Sequence, residues 1–205
     1  MTDGEPTVKR GRKFDQVLSG ARDIFMVDGF EGASVDDIAK TAGVSKATLY
    51  SYFPDKRLLF MEVAKMECVR QADSAIENID MSEHADKVLT QAAWQMVRFF
   101  TSDFGQRVFR LCVAESDRFP ELGREFYQSG PALVREKLVS FLKVAISRGE
   151  LEIDDLALAA DQFSELCKAD LFPRLIFSID MTFDERQKER IVTGAVKTFL
   201  ARYAA

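Results

Sequence analysis

The sequence predicts an all-α chain in two parts: an N-terminal three-helix domain built on a helix-turn-helix, then a larger C-terminal helical domain. Three observations carry this. From Gly11 to Tyr203, apolar residues recur at three- and four-residue steps, with no period-two alternation. Between Ser34 and Phe53, two short helical patterns flank a tight turn at Gly43. Gly and Pro fall where each pattern stops. The expected division is residues 1–54 and 55–205, with 55–79 as a connecting helix.

Residues 1–8, with Pro6 and no apolar pattern, are expected to be disordered. A first helix covers about Gly11 to Val27, with Phe14, Val17, Leu18, Ala21, Ile24 and Phe25 on one stripe; Gly29 ends it. Ser34 is a good N-cap for the next helix, with Asp37 at its third position. Val35, Ile38 and Ala39 share a face, and Ala39 is small enough for close helix approach. Gly43 supplies the left-handed turn at little steric cost. Ser45 then caps a helix beginning Lys46-Ala47-Thr48, with Leu49 facing inward. A helix-turn-helix of this kind lays its second helix in the DNA major groove.

After Pro54, a long stripe of Leu59, Val63, Met66, Val69, Ala72, Ile76 and Ile79 predicts a helix over about 55–79. Ser82 is expected to cap a helix to about Thr101, and another covers about Phe104 to Arg118. Phe119-Pro120 marks a break. A helix from Glu121 should stop at Ser129-Gly130-Pro131, and the next should end at Gly149. One long helix from Asp154 or Asp155 through Ile176 should kink at Pro173. Thr182 is expected to cap the last helix, which runs to Tyr203.

The composition excludes several classes. The chain has 205 residues, 47% apolar and 30% charged, an ordinary globular balance with enough chain for a sizeable core. No apolar run approaches the ~18 residues of a membrane span. The start has no apolar signal region, so a cytoplasmic protein is expected. Cys68, Cys112 and Cys167 show no metal or redox spacing. They read as buried thiols in a reducing compartment, with a sensing Cys as the alternative. No metal or cofactor is expected. His84, the single His, lies near a helix start with no nucleophile signature beside it. No phosphate-cradling Gly loop or Ser/His/Asp arrangement is visible, so the chain does not read as an enzyme.

The net charge of −5 is unevenly distributed. Residues 1–60 carry nine basic and nine acidic side chains, with Lys9, Arg10, Arg12 and Lys13 clustered. The whole excess of acid lies beyond them. A DNA contact would therefore use a placed basic surface.

The run from Arg12 to Leu59 resembles the N-terminal domain of the TetR family of bacterial transcriptional regulators. The matching pieces are Ala21…Phe25…Gly29-Phe30, Ser34-Val35…Ile38-Ala39…Ala42-Gly43-Val44-Ser45-Lys46, Thr48-Leu49-Tyr50…Tyr52-Phe53 and Lys56…Leu59. Ala33 departs from a frequent Thr, and Arg57 from a frequent Glu. The stretch Phe119 to Pro131 resembles the subgroup whose second domain is called AefR-like.

The resemblance implies a C-terminal helical domain for ligand binding and dimerisation. It also implies a ligand-responsive repressor, acting as a homodimer on a pseudo-palindromic double-stranded DNA operator and released by a small apolar or amphipathic effector. Lys46 and Thr48 stand at the end of the recognition helix that reaches bases and phosphates; a surface Lys and a capping Thr are the plainer alternatives. Tyr50 and Tyr52 either pack or, as the resemblance implies, contact DNA. Lys56, the Ser34 amide, Arg10 and Arg12 are candidate phosphate contacts.

Seventeen Phe residues suit either a dense core or an apolar ligand cavity. Trp94, Phe99, Phe109, Phe126, Tyr127, Phe163 and Cys167 are the candidate ligand residues. The last helix has apolar residues on more than one side. Phe163, Leu171, Val192, Ala195, Val196 and Phe199 are therefore expected at a dimer interface, with Asp161, Glu165, Lys168 and Arg174 as rim. An alternative reading is a DNA-associated structural protein of the same fold with no small-molecule effector.

Overall fold

A computed structural model of the chain describes residues 11–77, 79–180 and 182–205. The expected disorder of residues 1–8 and the expected contact by Arg10 fall outside them. The described residues form helices and no strand, with one isolated antiparallel bridge between Leu151 and Ala204. The chain divides into two compact units, residues 1–66 and 67–205.

The first unit holds α1 (Arg12–Gly32), α2 (Val35–Thr41), α3 (Lys46–Tyr52) and the start of α4 (Lys56–Glu77). Gly29 has φ 71°, so α1 kinks there before a last turn to Gly32. Phe14, Val17, Leu18, Ala21 and Phe25 form its buried stripe. Phe14 stacks on Phe53 at 5.3 Å, and Phe25 meets Phe60 edge-on at 5.0 Å. Ile38 and Ala39 of α2 and Leu49 of α3 complete this core. At Gly20 of α1 an added Cβ would stand 2.6 Å from the amide nitrogen of Ala42, so the glycine lets α1 and the end of α2 meet backbone to backbone.

The second unit holds the end of α4, then α5 (Ala85–Thr101), α6 (Asp103–Glu115), α7 (Pro120–Tyr127), a π-turn (Gln128–Ala132), α8 (Leu133–Ser147), α9 (Leu156–Leu166), α10 (Leu171–Ile176) and α11 (Glu185–Tyr203). α11 packs on α5 and α9, α8 on α9, and α10 on α5 and α6. One core gathers Leu89, Ala93 and Val97 of α5, Leu142 of α8, Phe163 of α9 and Val192, Val196 and Phe199 of α11.

Four local readings are corrected. The expected stop at Ser129-Gly130-Pro131 is instead a π-turn that carries α7 into α8. The wider turn accommodates Pro131, which has no N–H to give to an α-helical ladder. The expected long helix to Ile176 is two helices, and the break precedes Pro173: Cys167–Asp170 form a turn in which Asp170 has φ 66°. An unbroken helix would drive the Pro173 ring into the Ala169 carbonyl, whereas in the first turn of α10 its missing N–H is no loss. The cap of α11 is Asp184, not Thr182: its carboxylate accepts from Gln187 N at 2.8 Å, and the Gln187 amide oxygen accepts from Asp184 N at 2.9 Å. Nor does Ser82 cap α5. The helix starts at Ala85, whose N–H donates to the Glu150 carboxylate at 2.6 Å.

Candidate nucleic-acid interface

α3 is held by its buried side and presents the other. Leu49 is buried, while Lys46 and Tyr50 are exposed one turn apart, Tyr50 at 48%, with Ala47 exposed beside Lys46. The helix starts at Ser45, whose Oγ accepts from Thr48 N at 3.1 Å. The Thr48 hydroxyl lies 2.9 Å from the same Ser45 Oγ, so it is part of the cap. Tyr52 is half-buried and meets Phe14 edge-on at 5.7 Å, leaving Tyr50 as the projecting ring of the pair. Gly43 has φ 64°, the left-handed turn that joins α2 to α3.

Lys46 forms an ion pair with Asp36 of α2, both side chains being more than half exposed. An exposed pair of this kind contributes about 0–1 kcal/mol. Asp36 escaped the sequence reading because ten residues separate it from Lys46 and no helical period links them.

Lys56 is half-buried. Its Nζ donates to Phe30 O at 2.8 Å and to Ala33 O at 3.1 Å, and it lies 4.5 Å from the centroid of the Phe30 ring. An ammonium has three N–H bonds. Two of them tie α4 to the end of α1. Ala33, where the resemblance expects a Thr, is buried and offers no hydroxyl. Arg57 sits on Asp55, donating Nε to Oδ1 at 2.9 Å, so its charge is locally compensated.

Ser34 caps α2, its Oγ accepting from Asp37 N at 3.0 Å. Asp36 and Asp37 occupy the first turn of α2, so carboxylates already answer the positive end of this helix. Arg12 is exposed at the start of α1.

In the second unit the seven expected ligand residues lie in separate settings, two in the core, three in a run of rings, and Tyr127 and Trp94 apart from these. Phe163 and Cys167 are fully buried, and the Phe163 ring packs edge-on against Phe199 at 5.1 Å. Phe99, Phe109 and Phe126 join a half-buried run of rings: Phe126 to Phe109 at 6.0 Å, Phe109 to Phe172 at 4.7 Å, Phe172 to Phe100 at 5.9 Å and Phe100 to Phe99 at 6.0 Å. Tyr127 is exposed, its hydroxyl accepting from Arg135 Nη2 at 2.9 Å; Arg135 also grips Asp161 of α9 through two bonds of 2.7 Å. Trp94 stands apart, in a cleft of about 290 Å³ with Ile79, Gln91, Gln95 and Arg98. Periodicity located these rings on helices, but which of them fill the core depends on helix crossings that one sequence does not encode locally.

The six residues expected at a dimer interface, Phe163, Leu171, Val192, Ala195, Val196 and Phe199, are all buried inside the protomer, which corrects the expectation for the first five; Phe199 also lines a groove between α9 and α11. The surplus apolar sides of α11 are used against α5 and α9 of the same chain. Between α9 and α11 lies a groove of about 530 Å³ lined by Leu158, Asp161, Gln162, Glu165, Thr198 and Arg202, among others.

Burial pushes all three thiols up, Cys68 to about 11 and Cys112 and Cys167 to about 12. Among the described residues, no group of three His, Cys, Asp or Glu could hold a metal ion, and no helix is long and apolar enough to cross a membrane.

Comparison with known proteins gives two matches that together span most of the chain. Residues 17–63 match the family described as bacterial regulatory proteins, tetR family. Residues 87–205 match the AefR-like transcriptional repressor, C-terminal domain. YdeS of Bacillus subtilis, described as an uncharacterized HTH-type transcriptional regulator, is 28% identical over 195 residues, 91% of this chain and 92% of its own. A structure from Mesorhizobium loti described as a TetR-family transcriptional regulator superposes with TM-score 0.82 at 27% identity, over 97% of this chain and 100% of that one. The flavonoid-responsive regulator FrrA superposes with TM-score 0.70 at 35% identity, over 95% of this chain and 98% of its own.

Proposed function

The chain belongs to the TetR family of bacterial transcriptional regulators, with a C-terminal domain of the AefR-like type, and from that premise we propose a homodimeric, cytoplasmic repressor released from its operator by a small effector. Residues 1–54 bind DNA. Residues 55–205 bind the effector and dimerise, with 55–79 as connector. The observation that carries the DNA reading is α3: capped at Ser45, anchored by Leu49, and exposing Lys46 and Tyr50 on one face. These two side chains read base edges. Thr48 completes the cap, while Tyr52 and Lys56 orient the helix and contribute phosphate contacts beside Arg12 and the Ser34 amide.

A single recognition helix reads too few base pairs for specificity, so two half-sites about 34–36 Å apart are required. The second copy docks on the α9–α11 groove, where Leu158 is 51% exposed. The effector is a planar, amphipathic molecule; the aromatic content of the second unit and the flavonoid response of FrrA support that class. The packing of Phe163 and Cys167 into the core favours a second reading, a DNA-associated structural protein with no effector.

Selection of binding sites from random DNA tests the first reading. A pseudo-palindrome with half-sites one helical turn apart is expected, and enrichment of unrelated or single half-sites would sink it. Titration of the protein–operator complex with aromatic compounds separates the two readings, since an effector must bind the two states with different affinity.

A further inference from the structure

One face of α5 sets three polar side chains around Trp94, a ring that is itself packed in part against the core. Gln91, Trp94, Gln95 and Arg98 fall at helical positions i, i+3, i+4 and i+7, beside the buried stripe of Val88, Leu89, Ala93 and Val97. With Ile79 they line the cleft of about 290 Å³, near the lower end of small-molecule sites. The indole is half-buried, with the Arg98 guanidinium 5.4 Å from its centroid. Among the described residues, Arg98 has no carboxylate partner, and the Gln91 and Gln95 amides make no side-chain hydrogen bond. The two amides and the guanidinium, which itself lies over the indole, thus keep their hydrogen-bonding capacity beside the ring.

We infer that this cleft binds a planar aromatic anion, with its ring on Trp94 and its carboxylate or phenolate on Arg98. Each group answers one part of such a ligand. An indole face takes an offset or edge-on ring at about 4.5–7 Å. A guanidinium matches a carboxylate through two parallel N–H bonds, stronger than neutral ones. A primary amide offers both donor and acceptor, which suits ring hydroxyls and carbonyls. Ile79 is the aliphatic residue of the lining. A purely apolar ligand would leave the guanidinium and both amides without partners on binding, at the cost of their desolvation. The regulatory meaning of this site rests on the effector reading above; the binding itself does not.

Benzoate, 4-hydroxybenzoate and 4-coumarate are the probes, with methyl 4-hydroxybenzoate and cyclohexanecarboxylate as controls. Trp94 is the single tryptophan, so its fluorescence and titration calorimetry on the full chain report the same event. At least one aromatic acid should bind saturably below about 1 mM. The uncharged ester and the non-aromatic acid should each bind about tenfold more weakly, and Arg98→Gln should weaken the acid at least about tenfold. Arg98 is exposed, and circular dichroism checks that the variant is folded. The inference is overturned if none of the three acids binds, if the ester binds as well as its acid, or if Arg98→Gln binds like the wild type. Operator binding by the wild type without any probe is measured in parallel: its failure sinks the DNA reading and leaves the cleft result standing.

Discussion

Gly20 of α1 lies so close to Ala42 that a Cβ on the glycine would sit 2.6 Å from the Ala42 nitrogen and 2.8 Å from its Cα. The neighbour is backbone, which cannot swing aside as a flexible side chain would. Gly20→Ala should therefore move α1 against the helix-turn-helix and destabilise the first unit by about 1–3 kcal/mol. Urea unfolding followed by circular dichroism measures this, and operator affinity should fall with it. An unchanged midpoint would mean that the approach of α1 to α2 is looser than described.

Lys46→Ala and Tyr50→Ala should lose affinity for operator more than for unrelated DNA, by about 1–3 kcal/mol if a base contact is removed. Lys56→Ala should behave differently. It removes two carbonyl bonds that tie α4 to α1, so it should lower stability by about 1–2 kcal/mol. It should also weaken binding alike for all sequences and reduce the salt slope by about one. Fluorescence anisotropy with labelled operator and scrambled duplexes, across a salt series, separates the two patterns. Equal losses on both duplexes for Lys46→Ala would remove it from base reading.

Much of the first unit was legible because its signals are local. Ser34, Gly43 and Ser45 act on their own turns, and the spacing of Phe14 to Phe25 needs only one helix to be meaningful. The role of Lys56 was half legible: its position is set by the motif, but the carbonyls it binds lie 23 and 26 residues away. The second unit was less legible for the same reason. An apolar side of α11 looks identical in sequence whether it meets another protomer or α5 of its own, and here it meets α5.

That correction changes the expected outcome of charge substitution. Val192→Glu with Val196→Glu places two carboxylates in the core and should unfold the second unit. Leu158→Glu with Thr198→Glu alters exposed positions of the groove and should leave a folded monomer with weakened operator binding. Light scattering and circular dichroism distinguish these; a folded dimer with both groove charges in place would move the interface elsewhere.

The thiols predict a pH dependence with a definite sign. Cys112 and Cys167 ionise near 12 when folded against about 8.5 unfolded. Their contribution is present in full below the unfolded value and is lost as pH rises towards 12. Stability should therefore decline above about pH 9, and Cys167→Ser should flatten part of that decline relative to its own value at pH 7. At neutral pH these buried thiols are protonated, so a chromogenic disulfide reagent should modify the native chain slowly and the urea-unfolded chain at once.

The π-turn at Gln128–Ala132 makes that segment a place where the chain can change length. It holds about one residue more per turn than an α-turn, so losing that residue returns the segment to a regular helix with little change of rotation, whereas each residue of α-helix is worth about 100°. Deleting Pro131 should therefore leave Leu138, Phe141, Leu142 and Ala145, all buried on α8, facing the core. Deleting one residue between 133 and 137 would instead turn all four off the core face together. A deletion scan should show a tolerant window at the π-turn and a sharp loss just after it.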